Sequence, residues 1–278
     1  MVVTSREDQS FVRQGFKIGG NEADLFQGTA LYYARYRRPY PTEVINYLVE
    51  TFNLNGEGGL LDVGCGTGQV FLPLASYFQE IVAIDADTQM IAIARQAAIE
   101  LAIDQVQLHQ MRAEELSEDF GMFRLATFGA SFHWMDRLRV ANRVYDLLDD
   151  GGGIVALAYT GIHEGKTEWE AIICKMLEKW LGPKRRAGGG IYQQGERHQT
   201  ALAQTRFGSA TVHDLNVDEV WTTDEIIGFL YSTSYASKGV LGDQAEEFEA
   251  ELRERLSRLQ HDGLFHKSVE YTVISSRK

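Results

Sequence analysis

The residues best suited to chemistry gather in one short stretch, 60–69, which reads LLDVGCGTGQ. An apolar run (Leu60, Leu61, Val63) carries the acidic Asp62 and is followed by glycines at alternate positions, Gly64, Gly66 and Gly68. Glycine accepts positive φ and lets a ligand approach the main chain, so three of them after a buried strand make a tight loop able to line a cofactor. The alternative is a glycine-rich turn with no ligand. The pattern is G-x-G-x-G, with the third glycine one place earlier than in the dinucleotide fingerprint and Gln69 where that glycine would stand. No P-loop pattern occurs. Asp85 closes the next apolar run, where a carboxylate can accept from both hydroxyls of a ribose. An acidic residue there also serves as an ordinary helix start, so its weight comes from the glycine loop beside it. His133 follows the fourth apolar run and is a candidate base, histidine being the side chain that ordinarily changes charge near neutral pH. The other reading makes His133 and Trp134 a pocket wall.

These groups need elements to position them. Apolar runs near 59–64, 80–85, 105–109, 125–130 and 153–159 read as strands. Between them, 41–52, a stretch near 69–78, 87–101 and 136–148 read as helices. Val44, Ile45, Leu48 and Phe52 share one face, as do Met90, Ile91, Ala94 and Ala98. Asp87 and Thr88 are capping candidates, and DDGGG at 149–153 reads as a glycine-rich helix stop. Strands alternating with helices imply an α/β fold, Rossmann-like and doubly wound, on a mostly parallel sheet. Such sheets bind ligands beyond the carboxyl ends of their strands.

The chain has 278 residues, 44% apolar and 24% charged, enough for a sizeable core. A net charge of −12 disfavours nucleic acid, which needs clustered Lys and Arg, and the dense basic run PKRR at 183–186 reads as a solvated loop. Cys65 and Cys174 show no metal-ligand spacing and read as reduced thiols of a cytoplasmic protein. Neither a signal peptide nor an 18-residue apolar run is present, so no membrane span and no metal are expected.

LLDVGCGTG, VAIDAD and LLDDGGG together resemble the class I S-adenosylmethionine-dependent methyltransferases. YYARYRRPYP at 32–41, RAEEL at 112–116 and ASFHWMD at 130–136 are similar to the small-molecule branch that includes trans-aconitate methyltransferase-like enzymes. The resemblance implies S-adenosylmethionine as cofactor, a seven-stranded sheet with an antiparallel last strand, and methyl transfer to a small-molecule acceptor. It implies that Asp62, Gly64, Cys65, Gly66 and Gly68 line the methionine half of the cofactor. Asp85 would hold the ribose, Ala86 and Met90 would pack near the adenine, and Ala113 and Glu114 would border it. Ala130 would lie beside the cofactor amine, and Tyr33 and Arg37 would cap its carboxylate or, for Tyr33, simply pack. Arg112 stands where many relatives carry an acidic residue, so that adenine contact is lost or passes to Glu114. The competing readings are a non-catalytic cofactor-binding partner protein and an NAD-dependent oxidoreductase.

The second half reads as a cover. TEWEAIICKMLEKWLG is helical, 210–217 a strand, TTDEIIGFLYSTSY a helix capped by Thr222 or Thr223, and 243–261 an amphipathic helix. Residues 268–276 alternate as a last strand at the sheet edge. The chain thus divides into an N-terminal helical cover (1–58), a cofactor-binding core (59–160), and lid insertions with the last two strands of the same domain (161–278). Tyr159, Tyr192, Tyr231, Ser232, Ser234 and Tyr235 are the acceptor-facing candidates, together with Trp134.

Overall fold

The computed structural model describes residues 28–184, 186–187, 190–191 and 196–278. Helix α1 (Ala30–Tyr36) and helix α2 (Thr42–Phe52) precede strand β1 (Gly59–Val63). Then come α3 (Phe71–Leu74), β2 (Glu80–Asp85), α4 (Thr88–Glu100), β3 (Val106–Gln110), β4 (Phe123–Gly129), α5 (Arg137–Leu147) and β5 (Leu148–Tyr159). The second half holds α6 (Glu168–Leu181), a two-stranded ribbon of β6 (Arg186–Ala187) and β7 (Gly190–Ile191), and α7 (His198–Ala203). It ends with β8 (Thr211–Thr222), α8 (Thr223–Tyr231), α9 (Lys238–Leu241), α10 (Ala245–Leu259) and β9 (Leu264–Arg277).

The seven-stranded sheet runs β3-β2-β1-β4-β5-β9-β8. Its first five strands are parallel, and β9 and β8 are antiparallel to their neighbours. Every residue of β1 is buried, as a strand covered on both faces requires. One face packs on α2, α3 and α4 through Leu48, Phe71 and Ile91, and the other on α5 and α7 through Val144 and Leu202. The strand order reverses between β1 and β4, so the carboxyl ends of these two strands face the crevice where such sheets bind ligands.

Three expectations change. The last strand is inside the sheet, and β8 forms the edge. The polar run HDLNVDE of β8 suits an edge, whereas β9 buries Val269, Tyr271 and Val273. DDGGG is no helix stop: β5 begins directly after α5, with a register shift opposite Phe123–Leu125. Gly153 must lack a side chain because a Cβ there would meet the Phe52 ring at 2.1 Å. The helix expected near 69–78 is one turn, Phe71–Leu74, that tightens into a 3-10 turn at Ala75–Tyr77.

Beyond the last β5 partner pair, Tyr159↔Tyr271, strands β8 and β9 continue together to Thr222↔Leu264. This overhang projects past the carboxyl edge of the sheet, and α6, α8, α9 and α10 build a separate apolar cluster on it around Trp221, Phe229, Phe248 and Phe265. Thr222 caps α8 and Thr167 caps α6, each reciprocated by a glutamate three residues on. Among the described residues no helix is long and apolar enough to cross a membrane.

Candidate functional site

A cavity opens at the carboxyl ends of β1, β2 and β4. Its walls include Gly64, Gly66, Asp85, Ala86, Met90, Arg112, Ala113, Glu114, Ala130, Trp134 and, from α1, Tyr33. Eleven positions singled out from sequence therefore meet in one place. A smaller gap beside it, sharing Tyr33 and Gly64, adds Arg37, Asp62, Cys65 and Tyr159.

The glycines are there for different reasons. Gly64 (φ 68°) lies so close to the loop after β4 that a Cβ would sit 2.6 Å from the Ser131 Cβ. Ser131 Oγ donates to the Val63 carbonyl at 2.6 Å, so the two loops are stitched together. Gly68 (φ 103°) is required by Leu72, 2.6 Å from a would-be Cβ, and does not line the cavity. Gly66 (φ 56°) is buried but lines the cavity, and a Cβ there would meet Tyr33 and the Gln69 side chain only at ordinary contact, 3.5 Å. Of the three, Gly66 is therefore the one whose missing side chain leaves room on the cavity side.

Asp85 ties the loop to the second strand. One carboxylate oxygen accepts from the Gly66 N–H and the other from the Asp87 N–H, both at 2.9 Å. Loss of water around this carboxylate raises its pKa, against the pull of these amides. Asp87 in turn caps α4, accepting from Gln89 and Met90. Asp62 is fully buried. Its Oδ1 accepts from Thr127 Oγ1 at 2.8 Å, while Oδ2 has no hydrogen-bond partner. Burial pushes its pKa up to about 7, and the Thr127 hydroxyl pulls the other way. The nearby Phe71 amide opposes the rise without closing a hydrogen bond to Oδ2. A buried carboxylate oxygen without a donor is costly and marks a place for a cationic group.

Ala130 adopts φ 52°, an uncommon conformation for a residue with a Cβ. Its N–H donates to the Leu157 carbonyl, which fixes the bend at the cavity wall. Glu114, expected beside the adenine position, accepts from the Asp136 N–H and pairs with Arg112 at 3.6 Å. From α1, Arg37 lies over the Phe229 ring at 4.2 Å and over Tyr33 at 5.0 Å. It donates to Tyr159 Oη and, at 2.8 Å, to Ser232 Oγ. Among the described residues no Asp or Glu forms an ion pair with it.

Other expected positions lie elsewhere. His133 does not line the cavity: its ring packs on Trp134 (4.5 Å) and faces His198 (6.0 Å). Burial lowers the His198 pKa to about 4, with Arg137 acting in the same sense. Tyr231 is inside the lid, bonded to Glu249 and the Ala245 carbonyl. Tyr235 meets His163 at 3.0 Å, and Ser234 is buried in the turn after α8. Tyr192 lies outside the described residues. Met111, Ser131 and Met135 also line the cavity. RAEEL and ASFHWMD adjoin or contain all three, so the signal for them was position next to a motif. No group of three or more possible metal ligands occurs among the described residues.

Residues 60–152, about a third of the chain, match the family described as Methyltransferase domain. The "Probable S-adenosylmethionine-dependent methyltransferase CRG1" of Saccharomyces cerevisiae is 28% identical over 126 residues, 44% of this chain and 42% of that one. The ubiquinone/menaquinone biosynthesis C-methyltransferase UbiE of Geobacter sp. strain M21 is 32% identical over 119 residues, 41% and 51% of the two chains. The chain thus spans about half the length, or less, of these curated relatives. The crystal structure of the YcgJ protein of Bacillus subtilis matches with a TM-score of 0.52 and 16% identity, over 86% of this chain and 99% of that one. Residues 60–152, which build most of the cavity wall, thus match a methyltransferase domain, and the fold is the Rossmann-like one of the solved structures.

Proposed function

We propose that this chain transfers a methyl group from S-adenosylmethionine to a small-molecule acceptor, at a carboxylate or hydroxyl oxygen, by in-line displacement. The observation that carries this reading is the polar arrangement around the glycine loop: Asp85 facing the cavity at the end of β2 and the unpartnered Asp62 Oδ2 at the end of β1. A ribose diol matches the first, and the ammonium of an amino acid matches the second. Gly66 leaves room between them. Ala86, Met90 and the Ala113 backbone supply a flat, mostly apolar wall for adenine. Arg37 and Tyr33 cap the amino-acid carboxylate.

S-Adenosylmethionine supplies, when bound, a methyl carbon already activated by its sulfonium. The chain's own work is then to orient the acceptor and exclude water. Helix α1 contributes to both, because it spans from the glycine loop to the lid. Tyr33 covers the loop, Arg37 bonds lid residue Ser232, and the Tyr36 ring fills the space where a Gly228 side chain would be, within 2.3 Å of its Cβ position. An acceptor that is already anionic needs no base, which agrees with His133 lying off the cavity.

The finer likeness to trans-aconitate methyltransferase-like enzymes rests on YYARYRRPYP, RAEEL and ASFHWMD. The division at 1–58, 59–160 and 161–278 belongs to the same reading. The test is incubation of the purified chain with a metabolite extract and S-adenosylmethionine carrying a labelled methyl group, followed by mass spectrometry. A labelled small molecule is expected. Cofactor binding with no labelled product from any extract would instead favour a non-catalytic binding protein.

A further inference from the structure

Tyr40 stands between two prolines at the end of the run YYARYRRPYP, directly before helix α2. A proline holds the residue before it in extended backbone, so the entry of α2 fixes where this side chain starts. The residue is 8% exposed, and its ring packs edge-on against Tyr159 (6.3 Å) and Tyr271 (6.1 Å). That packing needs only the ring. The hydroxyl reaches past it to the carboxyl end of β4, where it lies 3.5 Å from the Cβ position of Gly129. It is buried there and has no hydrogen-bond partner among the described residues. A phenylalanine would fill the same space without the cost of an unmet polar group.

The hydroxyl is one of two unmet groups in a single gap. Tyr40, Asp62 and Gly129 all line the small space beside the main cavity, and Asp62 Oδ2 is the second buried oxygen without a partner. Strands β1 and β4 are neighbours in the sheet, which brings the two residues together at its carboxyl edge. The space is about 20 Å³, room for a single water-sized group. The two arginines in its wall are occupied elsewhere: Arg37 by Tyr159 and Ser232, and Arg38 by Glu219, Glu225 and the Val220 carbonyl. The gap and the main cavity share Tyr33, Gly64 and Gly129, so a ligand in the cavity can extend one small end into it. Burial pushes the Tyr40 pKa well above that of a free phenol, with Tyr159, Tyr33 and Asp62 acting in the same sense. The group it brings to the gap is therefore a neutral hydroxyl, able to accept as well as to donate.

We propose that Tyr40 is a specificity-determining residue of the methyl donor's site: its hydroxyl, together with Asp62 Oδ2, takes the amino group of the donor's amino-acid end. The proposal rests on reading the main cavity as that donor's site, and it adds a contact from outside the glycine loop. An ammonium head matches the size of the gap. It brings three N–H donors, which two unmet oxygens in one wall can share. The contact to Asp62 is between opposite charges, and the contact to Tyr40 is a hydrogen bond from a charged group to a neutral oxygen, also of the stronger kind. A thionucleoside without the amino acid leaves both oxygens unmet, so the gap selects for the amino group and not for the nucleoside.

Calorimetric titration of the parent chain and of Tyr40→Phe tests this with two ligands: S-adenosylhomocysteine, and its desamino analogue, which keeps the adenosine, the thioether and the carboxylate. Tyr40→Phe keeps the ring and its packing. It should weaken S-adenosylhomocysteine about ten- to a hundredfold, the range of one hydrogen bond to a charged group. The desamino analogue should bind the parent at least about tenfold more weakly than S-adenosylhomocysteine, and the variant should change its affinity less than about threefold. Without ligand, the melting temperature of Tyr40→Phe should match or exceed that of the parent, because the variant removes a buried hydroxyl that has no partner. Equal losses for the two ligands would overturn the proposal, since the hydroxyl would then not be reading the amino group. A fall in melting temperature with S-adenosylhomocysteine affinity unmoved would identify the hydroxyl as the partner of a resident water and overturn it too. Parent binding of S-adenosylhomocysteine that Tyr40→Phe leaves unchanged overturns the proposal alone, whereas no binding by the parent overturns the methyl-donor reading and the proposal with it.

Discussion

The glycine loop and the lid both hold polar groups away from water, and they do so by opposite means. Around the loop, Asp62 and its Thr127 partner apart, the partners are main-chain groups: Asp85 with the Gly66 and Asp87 amides, Ser131 with the Val63 carbonyl. In the lid they are side chains far apart in sequence. Lys267 pairs with Glu170, both side chains almost wholly buried, and also donates to the Gly161 carbonyl at 2.6 Å. Arg37 crosses from α1 to Tyr159 and Ser232. A site made from backbone groups has its geometry set by local φ and ψ, while one made from side-chain pairs depends on how distant elements dock. The loop suits an invariant ligand, and the lid can change its contents without disturbing the sheet.

The largest expected effect lies in the lid and should leave the loop untouched. Lys267→Met strands the buried Glu170 carboxylate, a loss of about 3–5 kcal/mol. For a chain of this size that corresponds to a fall in melting temperature of roughly 6–20 °C. The double variant with Glu170→Gln should recover much of it. Differential scanning calorimetry reads both, and cofactor affinity measured below the transition should change less than about threefold. A matching collapse of cofactor affinity would show that the two regions are not separable.

Asp85→Ala is the loop's counterpart. Two charge-assisted hydrogen bonds to a ribose, about 1.5–3 kcal/mol each, predict a loss of cofactor affinity of at least tenfold. Because Asp85 also holds the Gly66 and Asp87 amides, the melting temperature should fall as well. A stability loss with unchanged affinity would reduce Asp85 to a structural cap.

This contrast also explains what could be read from the sequence. The loop, its strand, the α4 face of Met90, Ile91, Ala94 and Ala98, and the Thr222 cap follow from neighbours within a few residues. Two things were beyond local reasoning. The edge position of β8 depends on which strand pairs with β5. The glycine of Gly153 answers to Phe52, a hundred positions away. Conversely, Tyr231 and Tyr235 look available on a hydroxyl-rich helix, and lid packing takes up both hydroxyls. His133 stands beside the correct strand, yet its turn directs the ring toward His198.

Asp62 gives a pH test of the loop. Its carboxyl pKa is raised by burial to about 7, so in the free protein its charged form opposes folding, and stability falls as pH rises from about 4 through 7. Pairing with an ammonium favours the charged form, so cofactor affinity should weaken severalfold as pH falls from 8 to 6, with proton release on binding at pH 7. Asp62→Asn should flatten that slope. An identical slope in the variant would assign the titration to another group.

The smallest effect is expected at His133. Since its ring does not line the cavity, His133→Asn should lower kcat less than about tenfold on whichever acceptor the labelled-methyl experiment identifies. A loss above a hundredfold, with disappearance of a limb near pH 6–7 from the pH–rate profile, would make it a base and would exclude an acceptor that is already anionic.

Everything else depends on the loop around Gly66 holding S-adenosylmethionine. Calorimetric titration of the parent chain and of Gly66→Val with S-adenosylmethionine and with NAD tests it most directly. Gly66 sits at φ 56° with its Cβ position facing the cavity wall at Tyr33, so valine adds bulk on the ligand side. Circular dichroism establishes that the variant is folded. Saturable binding of one S-adenosylmethionine per chain is expected, with no heat from NAD and a loss of at least a hundredfold in folded Gly66→Val. Binding of NAD in place of S-adenosylmethionine, or S-adenosylmethionine affinity unchanged in that variant, would contradict it.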